Sequence, residues 1–109
     1  MIKRVSLVRR RAGMSHEDFI AHWSGPHVEI VRQLPGVRGL RLNVIDQQAS
    51  ASAGWDGVGE VWFDSIEAAE AAFAHEPLAS QLRDDRAKFL GAVEVVFVRE
   101  RTIVAPPQS

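Results

Sequence analysis

The chain has 109 residues, 46% of them hydrophobic and 25% charged, which is enough for one domain and its core but not for two. Thirteen Lys and Arg against 14 Asp and Glu leave a formal charge of −1, so no global field draws in nucleic acid or an anionic membrane. The absence of cysteine excludes disulfides, thiolate metal sites and cysteine nucleophiles, and makes the cytoplasm the expected location.

Residues 2–8 (IKRVSLV) are β-branched and alternate imperfectly, predicting a strand that ends in the polar run 9–13. Ser15 predicts a helix N-terminus, its hydroxyl accepting from the amide of Asp18. Over 16–34, Phe19, Ile20, Trp23, His27, Ile30, Val31 and Leu34 fall within about 120° of one another, the stripe of a helix with one buried face. Gly25-Pro26 interrupts it, predicting a kink near Ser24, and Pro35-Gly36 ends it. Residues 37–46 read as a strand with Leu40, Leu42 and Val44 on one side and Arg41, Asn43 and Ile45 on the other. A soft loop follows over 47–56. Residues 57–64 form a third strand, and Ser65 caps a helix carrying Ile66, Ala69 and Phe73. Pro77 opens a further helical piece with Leu78, Leu82 and Phe89 inside, closed by Gly91. Residues 93–104 are the last strand and 105–109 a frayed tail, so the domain spans 1–104. The apolar stretch 95–98 is far shorter than the ~20 residues that span a bilayer, and Met1-Ile2-Lys3-Arg4 leads into no signal-type apolar core.

The order β, α, β, β, α, β is that of a ferredoxin-like α+β domain: a four-stranded antiparallel sheet with both helical segments on one face. Val95, Val96, Phe97 and Val98 put apolar groups on both sides of the last strand, so the open sheet face calls for cover. A homodimer whose sheets meet face to face as an α+β barrel supplies it, although an edge strand covered by its own helix gives the same pattern.

Chemistry must be sought among outliers, because no phosphate loop, GxSxG or HExxH is present. His27 lies in the apolar stripe beside Pro26, either bonded to a backbone carbonyl as a core histidine or lining a pocket and moving protons. His22 falls about 60° outside the stripe and reads as an edge or surface residue. A His22–His27 metal site is disfavoured, since five residues place them about 140° apart on a regular helix. His16 and His75 read as helix-end residues, and Arg9, Arg10 and Arg11 as a solvated strand exit. Glu60 is a mid-strand carboxylate on the same side as Val58 and Trp62; it faces solvent or Arg41, or points into a cavity as a proton acceptor. Asn43 has the same ambiguity. Trp23 and Trp62 supply core area, and Trp55, in the soft loop, is placed to cover a hydrophobic ligand.

The chain resembles the EthD family over about residues 1–104. The resemblance rests on Arg10-Arg11 with Gly13-Met14-Ser15, Phe19, His22-Trp23, His27, Leu34-Pro35-Gly36-Val37, Asn43, and the block from Asp56 to Ser65 (DGVGEVWFDS). It implies a ferredoxin-like subunit, a homodimer through the sheets, and a pocket between sheet and helices. Members include proteins that accompany ether-degrading oxygenases and others that isomerise methyl-substituted muconolactones, and the family's helix histidine maps onto His27. The expected function is cofactor-independent proton transfer on a small hydrophobic cyclic molecule, such as a lactone or quinone-like compound, in catabolism or secondary metabolism. A non-catalytic metabolite-binding or accessory protein and a cofactor-independent monooxygenase are the alternatives. His27 and Glu60 are the candidate catalytic residues. Asn43, Trp23, Trp55, Trp62 and His22 are the candidate substrate-binding residues, with no metal.

Overall fold

The computed structural model describes residues 1–107; positions 108 and 109, the end of the expected tail, lie outside the described residues. Four strands, β1 (Ile2–Arg10), β2 (Gly39–Val44), β3 (Gly57–Phe63) and β4 (Leu90–Val98), form one antiparallel sheet in the order β2-β3-β1-β4. The helices are α1 (His16–His22), α2 (Val28–Val31), α3 (Ile66–Phe73) and α4 (Leu78–Phe89). This is the expected ferredoxin-like plan.

Pairing and burial fix the two faces of the sheet. Gly57, Gly59, Val61 and Phe63 alternate as the buried side of β3, and their cross-strand partners on β1 and β2 are Val8, Ser6, Arg4 and Ile2, and Val44, Leu42 and Leu40. These residues face the helices. One core cluster joins Ile2, Val61 and Phe63 to Val31, Leu34, Ala69, Ala72 and Leu82. A second joins Val8, Phe19, Trp23 and Phe89. Lys3, Val5, Leu7, Asn43, Val58, Glu60, Trp62, Val96 and Val98 therefore point to the opposite, helix-free face.

Both predicted caps form, with Ser15 Oγ accepting from the Asp18 amide at 3.1 Å and Ser65 Oγ from the Ala68 amide at 3.0 Å. The kink at Gly25-Pro26 takes the form of a π turn over Trp23–His27. Proline has no amide donor and crowds the carbonyl four residues back, and a wider turn relieves both problems without ending the helix.

The last strand departs from expectation. It starts at Leu90 and stops at Val98, so Gly91 lies inside β4 rather than closing α4, and residues 99–104 leave the sheet. Gly91 occupies a bulge: Arg9 pairs with Ala92 and Arg10 with Leu90, leaving Gly91 without a partner. Its backbone runs so close to β1 that an added Cβ would stand 2.3 Å from the Arg10 carbonyl oxygen. That contact, not a helix end, requires glycine here.

Candidate functional site

A cavity of about 80 Å³ lies between the helix-facing side of the sheet and the helices. Its walls are mostly apolar, drawn from Val8, Leu40, Leu42 and Val61 of the strands and from Trp23, Val31, Leu82 and Phe89 of the helical layer. Glycines on β3 make room for Trp23 in that wall. A Cβ on Gly57 would stand 2.3 Å from the Trp23 ring, and one on Gly59 would stand 3.4 Å from it, so the indole occupies the space over strand positions that carry no side chain.

His27 reaches this cavity at the end of the π turn. Its Nδ1 is 3.0 Å from Oδ2 of Asp85 on α4, while His22 Nε2 is 2.9 Å from Oδ1 of the same carboxylate. The His22 and His27 rings pack on Phe89, at centroid distances of 4.6 and 5.0 Å. The two histidines share a partner because hydrogen bonds in a π turn span five residues instead of four, which brings positions i and i+5 toward one side. The separation of about 140° expected on a regular helix therefore does not apply, and His22 is an inward-facing member of the site. The two rings engage different oxygens of Asp85, and among the described residues no three His, Asp or Glu side chains are grouped as metal ligands.

Asp85 is the residue that the sequence did not single out. It is 5% exposed, and both its oxygens are occupied. Burial alone would raise its pKa; the hydrogen bonds from His22 and His27 outweigh that and hold it below the usual carboxylate range. An ionised carboxylate only accepts, so His27 carries its proton on Nδ1 and keeps a free lone pair on Nε2. Burial lowers the His27 pKa below its ordinary value, with Asp85 opposing and Arg86 and His22 adding to the shift. At neutral pH the ring is an oriented, uncharged base.

The remaining expected site residues are distributed differently. Glu60 and Asn43 do not meet His27; they stand on the opposite face of the sheet. There Glu60 bonds Lys3 Nζ at 2.5 Å and Asn43 Nδ2 at 2.9 Å. The bond from Lys3 is the main cause that keeps the Glu60 pKa low, against burial, so Glu60 is a salt-bridged anion and not a proton acceptor in the cavity. Trp62 shares that face, with Lys3 Nζ 4.9 Å and Arg41 Cζ 5.4 Å from its ring. Trp23 does line the cavity. Trp55 does not: it stacks under Arg9 at 4.5 Å beside a separate surface hollow formed with residues 9–14. His16 is also more than a helix-end residue, for its Nδ1 is 2.7 Å from Oδ1 of the buried Asp56, which also accepts from the Arg10 guanidinium, while Oδ2 accepts from the Arg10 amide.

A partly open cavity with mostly apolar walls and a carboxylate-oriented histidine thus stands on a ferredoxin-like α+β frame. The EthD domain model matches residues 11–92, and the chain belongs to the EthD family. Similar solved structures include an EthD family protein from Bacillus halodurans, 20% identical with a TM-score of 0.73 over 93% of this chain and 99% of that one. A Dabb family protein with a ferredoxin-like fold from Mesorhizobium loti is 12% identical with a TM-score of 0.74, covering 92% and 96% of the two chains. A dimeric protein of unknown function with a ferredoxin-like fold from Bacteroides fragilis is 13% identical with a TM-score of 0.69, covering 91% and 95%. No curated protein sequence matches the chain.

Proposed function

We propose that this protein is a cofactor-independent enzyme of catabolism or secondary metabolism that moves a proton on a small hydrophobic cyclic molecule such as an unsaturated lactone. The observation that carries it is the Asp85–His27 pair at the cavity wall. His27 Nε2 takes a proton from a carbon made acidic by a neighbouring carbonyl, leaving an enolate and an imidazolium held by Asp85. The Nε2 proton exchanges with solvent while the enolate persists, and the imidazolium then delivers a solvent-derived proton to another carbon of the conjugated system, which moves the double bond and restores the neutral ring. Trp23 and Phe89 give the ring a flat apolar wall, and His22 holds the second oxygen of Asp85. Lack of cysteine supports a cytoplasmic setting; among the described residues no helix is long and apolar enough to cross a membrane.

Solvent exchange tests this function. Unsaturated lactones incubated with the protein in D₂O are expected to gain deuterium at the carbon next to the double bond, well above the buffer rate. Exchange at the buffer rate across a panel of such lactones contradicts it and leaves a protein that only binds its metabolite.

The functional unit is read as a homodimer closed through the helix-free sheet faces. Val5, Leu7, Val96 and Val98 on that face, with Val96 50% exposed, support it; so does the dimeric protein of like fold from Bacteroides fragilis. Light scattering at micromolar concentration is expected to give twice the chain mass, and a mass of one chain contradicts the dimer.

A further inference from the structure

The cavity beside His27 holds two positive charges that no described residue pairs with. Arg4 enters from β1 and Arg86 from α4, and both line it together with Ser6. Neither takes part in any ion pair among the described residues, whereas Lys3, Arg10 and Arg38 each have a carboxylate. Asp85, next to Arg86 in sequence, already has both oxygens engaged by the two histidines. Arg4 packs on the face of Phe73, its Cζ 4.0 Å from the ring centroid. Every fully buried polar side-chain atom among the described residues has a hydrogen-bond partner, so the unpaired guanidinium N–H groups are those with access to open space.

Placing uncompensated charge in an apolar pocket is costly. The cost is visible at Arg4, whose pKa falls to about 10, first through burial and then through the charge of Arg86. Such an arrangement is typical of a site where stability is given up for binding, because a ligand supplies the missing counter-charge. The guanidinium fork matches the two oxygens of a carboxylate in a way that an ammonium does not. The cavity walls add flat aromatic surface from Trp23, Phe73 and Phe89.

We infer that the ligand of this cavity is a small cyclic carboxylate, its carboxylate held by Arg4 and Arg86 while its ring faces His27 Nε2. The orientation toward His27 rests on the proton-transfer function proposed above; the anion site itself rests on the two arginines.

Benzoate and benzamide share a ring and differ in charge, so calorimetric titration of the full chain with each tests the site. Benzoate is expected to bind at least tenfold more tightly and to raise the melting temperature of the wild-type protein, with benzamide having little effect. Arg4→Met and Arg86→Met, which keep most of the side-chain volume, are each expected to weaken benzoate at least tenfold and benzamide less than twofold. Wild-type protein that binds benzoate no better than benzamide, or arginine variants that keep the benzoate affinity, overturns the inference. The wild-type comparison stands even where a variant fails to fold. His27→Ala separates the two claims: it is expected to keep the preference for benzoate, so lactone exchange that survives in this variant removes proton transfer by His27 and leaves the anion site standing.

Discussion

His27→Ala is expected to slow deuterium exchange on an accepted lactone by about 10²- to 10⁴-fold, the range over which a positioned general base accelerates proton transfer. The variant loses the ring's packing on Phe89 and its bond to Asp85, but both buried clusters keep all their members, so it should still melt cooperatively. Asp85→Asn should cost a comparable factor for a different reason. An asparagine offers one acceptor and one donor where the carboxylate offers two acceptors. If its amide nitrogen faces His27, Nδ1 must become the acceptor, the proton moves to Nε2, and the atom that should take the substrate proton is blocked. His22 favours that orientation, because its Nε2–H then keeps an oxygen acceptor; the opposite orientation satisfies His27 only where His22 gives up its Nε2 proton and accepts from the amide. Exchange rates by NMR, with binding measured separately, check both variants; a variant lacking the His27 ring that keeps its rate contradicts the role of Nε2.

The largest expected loss of stability lies outside the site. Gly91→Ala places a methyl group 2.3 Å from the Arg10 carbonyl oxygen, 2.9 Å from its carbon and 3.0 Å from the Arg11 Cα. All three are backbone atoms of the strand and its exit, so no rotamer change relieves the contact. Either the bulge opens and the pairing of Arg9 with Ala92 and Arg10 with Leu90 is lost, or the strand shifts. Overpacking of this kind costs about 3 kcal/mol, which for a domain of this size lowers Tm by roughly 10–20 °C. Gly91 is exposed on its other side, so a surface substitution is expected to behave like a core one. A Tm within 2–3 °C (about 0.5 kcal/mol) of wild type would show that the bulge adapts. Gly57→Ala, by contrast, meets a side chain, the Trp23 ring, and is expected to reshape the cavity as well as destabilise it.

Element order, caps, the interruption at Gly25-Pro26 and the inward histidine were all legible in the sequence, because each has a local physical cause. The partner of that histidine was not. His27 and Asp85 are 58 residues apart, and no local pattern joins them. A signal did exist: Asp85 follows Leu82 by three residues and precedes Phe89 by four, so an acid falls on the inner stripe of α4, where it needs a buried partner. His22 was misplaced because uniform helical geometry was carried through a proline that changes it. Glu60 and Asn43 were open to a cavity role because the true inner face of β3 begins with Gly57 and Gly59, which give no hydrophobic mark of which side is in. Trp23 fills the space those glycines leave, and that fit is visible only in three dimensions. Arg4 and Ser6 concealed the inner face of β1 in the same way, by placing polar groups where alternation calls for apolar ones.

Proton transfer in this cavity requires His27 to be a neutral base with its proton on Nδ1, and a ¹⁵N-resolved NMR titration of that ring measures both properties. A histidine free of its surroundings titrates near 6.5. In the fold, burial disfavours the imidazolium more than Asp85 favours it, so the midpoint must lie lower. The sign extends to stability: below about 6.5 the unfolded chain takes up this proton before the folded one does. The contribution of His27 is therefore full above that pH and declines as pH falls toward the folded-state midpoint. At pH 7 the prediction is an Nδ1–H tautomer with Nε2 unprotonated, converting to imidazolium with a midpoint below 6.5. An Nε2–H tautomer at pH 7, or a midpoint above 7, would contradict it.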